Sequence, residues 1–81
     1  MEDDALINRL TPILRDIFEN DDLELYREMT ARDVDAWDSL SNIRMLVAVE
    51  QELGIQFNTA EIAGLPDLGA LLDVIREHLS A

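Results

Sequence analysis

Four residues in this chain, Trp37-Asp38-Ser39-Leu40, are the best placed to do chemistry. They stand where an aperiodic stretch turns into a helical pattern. Locally they read as a helix start: Asp or Ser supplies the side-chain oxygen that an N-cap requires, and Leu40 opens an apolar run. Ser39 has no base in its neighbourhood of sequence, so it is not equipped to be a nucleophile on its own account. Other candidates fail on composition or spacing. His78 is the sole histidine, has no second imidazole for a metal or a relay, and reads as a solvated side chain of a fraying last turn. Asp33-Val34-Asp35 begins like a calcium loop. That loop then needs an oxygen ligand, a glycine and a glutamate where the chain has Trp37, Asp38 and Arg44. The three glycines are dispersed and there is no lysine, which excludes a phosphate-cradling P-loop. Without cysteine there is no disulfide, thiolate metal site or cysteine nucleophile. The carboxylates are many, but acid–base work needs two in one shielded pocket. In so short a chain most of them must face water. The expectation is a protein with no catalytic residue, no metal site and no enzymatic activity of its own.

The elements that must hold these residues are helical. Leu6, Ile7, Leu10, Ile13, Leu14, Ile17 and Phe18 advance by threes and fours, which predicts a first helix over about residues 4–18, imperfect near Pro12. From Glu19 to Asp38 the periodicity is lost. Leu23, Leu25, Tyr26, Met29, Val34 and Trp37 are scattered there, as in a loop pinned to the core at several points. A second helix runs from Ser39 to about Leu53, with Leu40, Ile43, Leu46, Val47 and Glu50 on or beside its inner face and Gly54 as its stop. Ile55-Gln56-Phe57 is a short extended piece. Asn58 or Thr59 then caps a brief helix over Ala60–Ala63, ended by Gly64 and Pro66. Asp67 caps a last helix to about Leu79, burying Leu68, Leu71, Leu72, Ile75 and Leu79. The fold class is all-α: a small four-helix bundle, three longer helices and one short, with a long first crossover. Residues 1–81 form a single domain.

Charge narrows the function further. Eighteen acidic residues oppose six arginines, for a net charge of −12. Such a chain repels a phosphate backbone and anionic lipid, so neither nucleic acid nor a membrane surface is an expected partner. No apolar run approaches the roughly 18 residues of a membrane span. The N-terminus is acidic, unlike a secretory signal, and a cytoplasmic monomer is the default. At 48% hydrophobic residues the chain can still form a core.

Asp38-Ser39-Leu40, following a long loop and opening the second helix of an acidic four-helix chain, resembles the acyl carrier protein family. The continuation Ile43-Arg44-Met45-Leu46-Val47-Ala48-Val49-Glu50-Gln51-Glu52-Leu53-Gly54-Ile55 is similar to that family's second helix, and Ile62, Leu65 and Leu68 fall where its third and fourth helices pack. The resemblance implies a carrier whose Ser39 bears a covalent 4′-phosphopantetheine arm from coenzyme A, flanked by Asp38 and Leu40. A phosphopantetheinyl transferase attaches the arm in trans, and Asp38 helps it engage the site. The arm holds an acyl or aminoacyl group as a thioester, received from a loading enzyme and passed to a transferase or synthase in fatty-acid, polyketide or related secondary biosynthesis. A phosphodiester at a helix N-terminus is electrostatically favoured. Ile43, Leu46, Val47, Ile62, Leu68 and Leu72 are the residues expected to shelter an acyl chain between helices.

Within that resemblance the chain departs from the housekeeping pattern. Arg44 stands where Glu is expected, Gln51 replaces another acid, and Trp37 occupies a position that is usually small or charged. Trp37, Arg44 and Glu50 are therefore the expected partner-recognition residues, and the likeness is to stand-alone specialised carriers. The alternative reading is an acidic helical interaction module in which Ser39 is only a helix N-cap.

Overall fold

The computed structural model describes residues 2–34 and 36–80; Asp35, the third residue of the discarded calcium triplet, lies outside them. Four helices follow one another: α1 (Asp3–Ile17), α2 (Ser39–Leu53), α3 (Thr59–Ile62) and α4 (Leu68–Ser80), with no strand among the described residues. The architecture is the expected four-helix bundle. Leu6, Leu10 and Leu14 of α1, Met45, Leu46 and Val49 of α2, and Leu68, Leu71, Leu72 and Ile75 of α4 share one core. The short α3 adds only the half-buried Ile62.

Local chemistry explains most boundaries. Pro12 sits within α1, where it lacks the N–H that a helix interior uses, while the Thr11 hydroxyl donates to the Ile7 carbonyl at 2.6 Å. The end of α1 is closed by Asn20 N–H to Arg15 C=O and Glu19 N–H to Asp16 C=O, with Glu19 at φ 52°. Such a left-handed position normally takes glycine, because a Cβ crowds the backbone there. Glu19→Gly is expected to raise stability by about 0.5–1 kcal/mol in urea unfolding, since relief of that crowding exceeds the added chain entropy. A midpoint that fails to rise would show that the glutamate side chain compensates. Gly54 closes α2 in the left-handed conformation, its N–H bonded to the Glu50 carbonyl.

The long crossover is a strap rather than a linker. Met29 and Val34 are buried, and Leu23, Leu25 and Trp37 pack against the core; Tyr26, expected among the pins, is instead exposed. Its carbonyls finish α4: Leu68 N–H bonds to Met29 C=O at 2.8 Å and Gly69 N–H to Arg27 C=O at 2.7 Å. Asp67 supplies the next acceptor, its carboxylate taking the Ala70 N–H at 2.9 Å. The initial N–H groups of α4, which the helix itself cannot satisfy, are thereby partnered. Gly69 permits this approach, because a Cβ at that position would lie 3.1 Å from the Arg27 carbonyl.

Arg27 also anchors the strap by charge. It bonds Asp3 at 2.7 Å and Asp73 at 3.1 Å, and Arg76 pairs with the same two aspartates, so the start of α1, the strap and α4 meet in one network. Arg9 adds a looser pair to Glu52 at 3.6 Å.

Candidate functional site

Asp38 and Ser39 divide the work at the start of α2. Asp38, extended at φ −112°, is the N-cap: its Oδ1 accepts the Ser41 N–H at 2.8 Å. The Ser41 backbone N–H, and then its hydroxyl, hold the Asp38 carboxyl below the usual carboxylate range. Ser39 is the first helical residue and is exposed, and its hydroxyl has no hydrogen-bond partner among the described residues. The reading of Ser39 as only a cap is thus corrected, since the neighbouring aspartate already caps the helix. Ser41 is half-buried and hydrogen-bonded, so the two serines of this turn are not equivalent.

Trp37 fixes the approach to this turn. Its ring lies 5.4 Å from Phe18, and its indole N–H donates to the Asn42 Oδ1 at 3.0 Å. The half-buried tryptophan therefore joins the end of α1 to the first turn of α2. Glu50 is likewise engaged internally: its Oε2 accepts the Phe57 N–H at 2.7 Å, tying the segment after Gly54 back to α2. Of the three residues expected to face a partner, Arg44 alone is exposed rather than half-buried, and it makes no ion pair among the described residues.

A cleft of about 780 Å³ opens beside Ser39. Its floor includes Met45, Leu46, Ile62, Leu65, Leu68 and Leu71, and its rim Thr30, Arg32, Trp37 and Asp38. The structure thus brings together Leu46, Ile62 and Leu68 of the expected acyl-sheltering set. It does not bring in the other three. Leu72 is wholly buried in the core, whereas Ile43 and Val47 lie on the outer surface at 59% and 45% exposure, with Leu40 at 66%. The inner face of α2 is the Met45–Leu46–Val49 side, about a quarter-turn from the expected one. This helix is the least amphipathic of the long three, so spacing offered two stripes sharing Leu46. Met45 lies on the second stripe, which was the available signal for it.

His78 also differs from expectation. It is half-buried, its Nε2 lies 2.9 Å from the Glu61 Oε1, and its ring meets Phe57 edge-on at 5.7 Å. Glu61 closes a reciprocal capping box with Asn58 at the start of α3. The Asn58 N–H first, and His78 second, keep the Glu61 carboxyl below its ordinary value. The histidine holds α3, and with it the Ile62 side of the cleft, against α4.

No group of side chains able to hold a metal ion occurs among the described residues, and no helix is long and apolar enough to cross a membrane. A hydroxyl with no partner and no base among the described residues, presented at a helix start beside a cleft, is suited to bear a group rather than to activate itself.

Comparison with known proteins bears on this geometry. The phosphopantetheine attachment site family matches residues 8–75. Among solved structures the chain is similar to the holo acyl carrier protein of Geobacter metallireducens, solved in solution: 39% identity, a TM-score of 0.85, and coverage of 91% of this chain and 85% of that one. A search of curated proteins gave no match. The free Ser39 hydroxyl and the adjoining cleft leave room for such a group without displacing any bonded side chain. With most of its length matched, the chain belongs to the phosphopantetheine attachment site family: it is a carrier protein and not an enzyme, and its working group is a covalently attached 4′-phosphopantetheine.

Proposed function

We propose that Ser39 is the residue that takes the arm, and that the whole chain acts as one monomeric carrier domain delivering acyl or aminoacyl groups between enzymes of fatty-acid, polyketide or related secondary biosynthesis. The observation that carries this reading is the division of labour at α2: Asp38 caps the helix, leaving the exposed Ser39 hydroxyl without a partner among the described residues. When bound, the arm supplies the thiol, absent from the chain itself, that holds cargo as a thioester. Ser39 provides the oxygen of attachment, Asp38 orders the turn and offers its carboxylate to the attaching transferase, and Trp37 keeps the turn in place against Phe18. Leu46, Ile62 and Leu68, joined by Met45 and Leu71, offer apolar surface that excludes water from a cargo folded back into the cleft. Incubation with coenzyme A, Mg²⁺ and a broad-specificity phosphopantetheinyl transferase, followed by intact mass, tests the reading. A mass gain of one arm supports it, and an unchanged mass with a competent transferase refutes it.

The partner set we propose is a dedicated one, different from that of housekeeping fatty-acid enzymes. The outer face of α2 shows Leu40, Ile43 and Val47 around Arg44, so it is apolar and carries a cation within a chain of net charge −12. A basic partner groove gains little from Arg44, and charge complementarity at a rim sets association rate and excludes wrong partners. Arg44→Glu is expected to lower kcat/KM with the cognate loading enzyme roughly tenfold while leaving kcat unchanged. Unaltered kcat/KM would remove Arg44 from recognition.

A further inference from the structure

Arg32 is a cation with no acidic counterpart among the described residues of a chain rich in acids. It is exposed, it lines the same cleft as Ser39, and it makes no ion pair among the described residues. Its placement is ordered locally. Asp33 N–H bonds to Thr30 C=O at 3.0 Å, Arg32 N–H to Thr30 Oγ1 at 3.2 Å, and Thr30 N–H to Asp33 Oδ2 at 2.9 Å. This turn holds the Arg32 backbone at the cleft rim and occupies the adjacent Asp33 carboxylate with Thr30, whose hydroxyl also reaches it at 3.3 Å. Three other arginines are committed elsewhere: Arg9 to Glu52, and Arg27 and Arg76 to Asp3 and Asp73. Arg15 donates to the Leu23 carbonyl at 2.8 Å. Arg44 has no ion-pair partner among the described residues, but it does not line the cleft.

The electrostatics at Ser39 make this arginine matter. A phosphodiester there brings a fixed negative charge to a helix start where the Asp38 carboxylate already holds one first-turn N–H, that of Ser41. Two anions would then share one helix terminus, in a protein of net charge −12. A guanidinium across the same cleft offsets that repulsion, and its planar fork matches phosphate oxygens. Tethering raises the local concentration of the phosphate to the order of millimolar, so even an exposed contact is populated.

We propose that Arg32 is the positioning residue that receives the phosphate of the arm attached at Ser39 and draws the arm along the cleft. The inference rests on the attachment reading, and the experiment keeps the two apart. Wild type, Arg32→Gln, Arg32→Lys and, as a control for net charge outside the cleft, Arg9→Gln are each treated with transferase, weighed, and examined by phosphorus NMR at low and high salt. In wild type and Arg9→Gln the phosphodiester resonance should shift with salt, because screening loosens the pair. Arg32→Gln should show the high-salt position throughout, and Arg32→Lys should restore part of the salt response. The holo form of Arg32→Gln should also melt below its apo form, with no such loss in wild type. A mass gain in all four proteins with identical phosphorus shifts at both salt concentrations overturns the role of Arg32 alone. Absence of the mass gain in all four overturns attachment and this inference together.

Discussion

Ser39→Ala is expected to abolish the mass gain completely while leaving the fold intact. The substitution removes one exposed hydroxyl that bonds to nothing among the described residues, so its effect on stability should stay within about 0.5 kcal/mol. Capping persists, because Asp38 and not Ser39 accepts the Ser41 N–H. Ser41→Ala is the matched control. It should still take up one arm, since Ser41 is half-buried within the first turn of α2 while Ser39 is exposed at its start. Asp38→Asn separates capping from recruitment. Asparagine caps as well as aspartate, so stability should hold, while the rate of modification falls if the carboxylate serves the transferase. Intact mass and circular dichroism on the same samples decide these outcomes. Modified Ser39→Ala would refute attachment at this residue, and an unmodified but unfolded variant is excluded by its spectrum.

Leu72→Ala should be strongly destabilising. Leu72 is wholly buried between helices, and removing such a side chain leaves a cavity worth about 2–5 kcal/mol. A domain of this size holds only about 4–12 kcal/mol in all. Ile43→Ala, on the same apolar list by sequence, should cost no more than about 0.5 kcal/mol, because its side chain is 59% exposed. Urea unfolding of the two variants at one salt concentration checks the contrast. Equal losses would mean that the inner face of α2 is the one expected from sequence, and not the Met45–Leu46–Val49 side.

That contrast shows where reading the chain residue by residue runs out. The position of Ser39, the start and stop of α2, and the caps at Asn58 and Asp67 were legible, because each is satisfied within four residues of itself. The rotation of α2 was not. A weakly amphipathic helix carries little internal signal for which side meets α1 and α4, and the neighbours choose. The cleft followed the same rule: Leu46, Ile62 and Leu68 belong to it under either rotation or on other helices, while Ile43 and Val47 depended on the rotation.

Side chains that act at long range were the other gap. His78 reads as a terminal surface residue until α3 folds back and sets Glu61 beside it, 17 residues away. Glu50 and Trp37 show no sign in the sequence of the internal contacts they make with Phe57 and Phe18. Gly69 looks like a dispersed glycine until the strap carbonyl of Arg27 comes to rest against it, 42 residues distant in sequence.

What the sequence by itself determined is therefore the family, the helical order and the serine at the start of α2. These follow from local hydrogen bonding and from a motif whose parts are adjacent. What only the tertiary structure decided is which apolar face is core, which arginines are consumed by the Asp3–Asp73 network, and that Arg32 reaches the cleft with no ion-pair partner among the described residues. Those outcomes depend on which distant groups are brought within a few ångströms, and a shared surface between helices exists only once they pack.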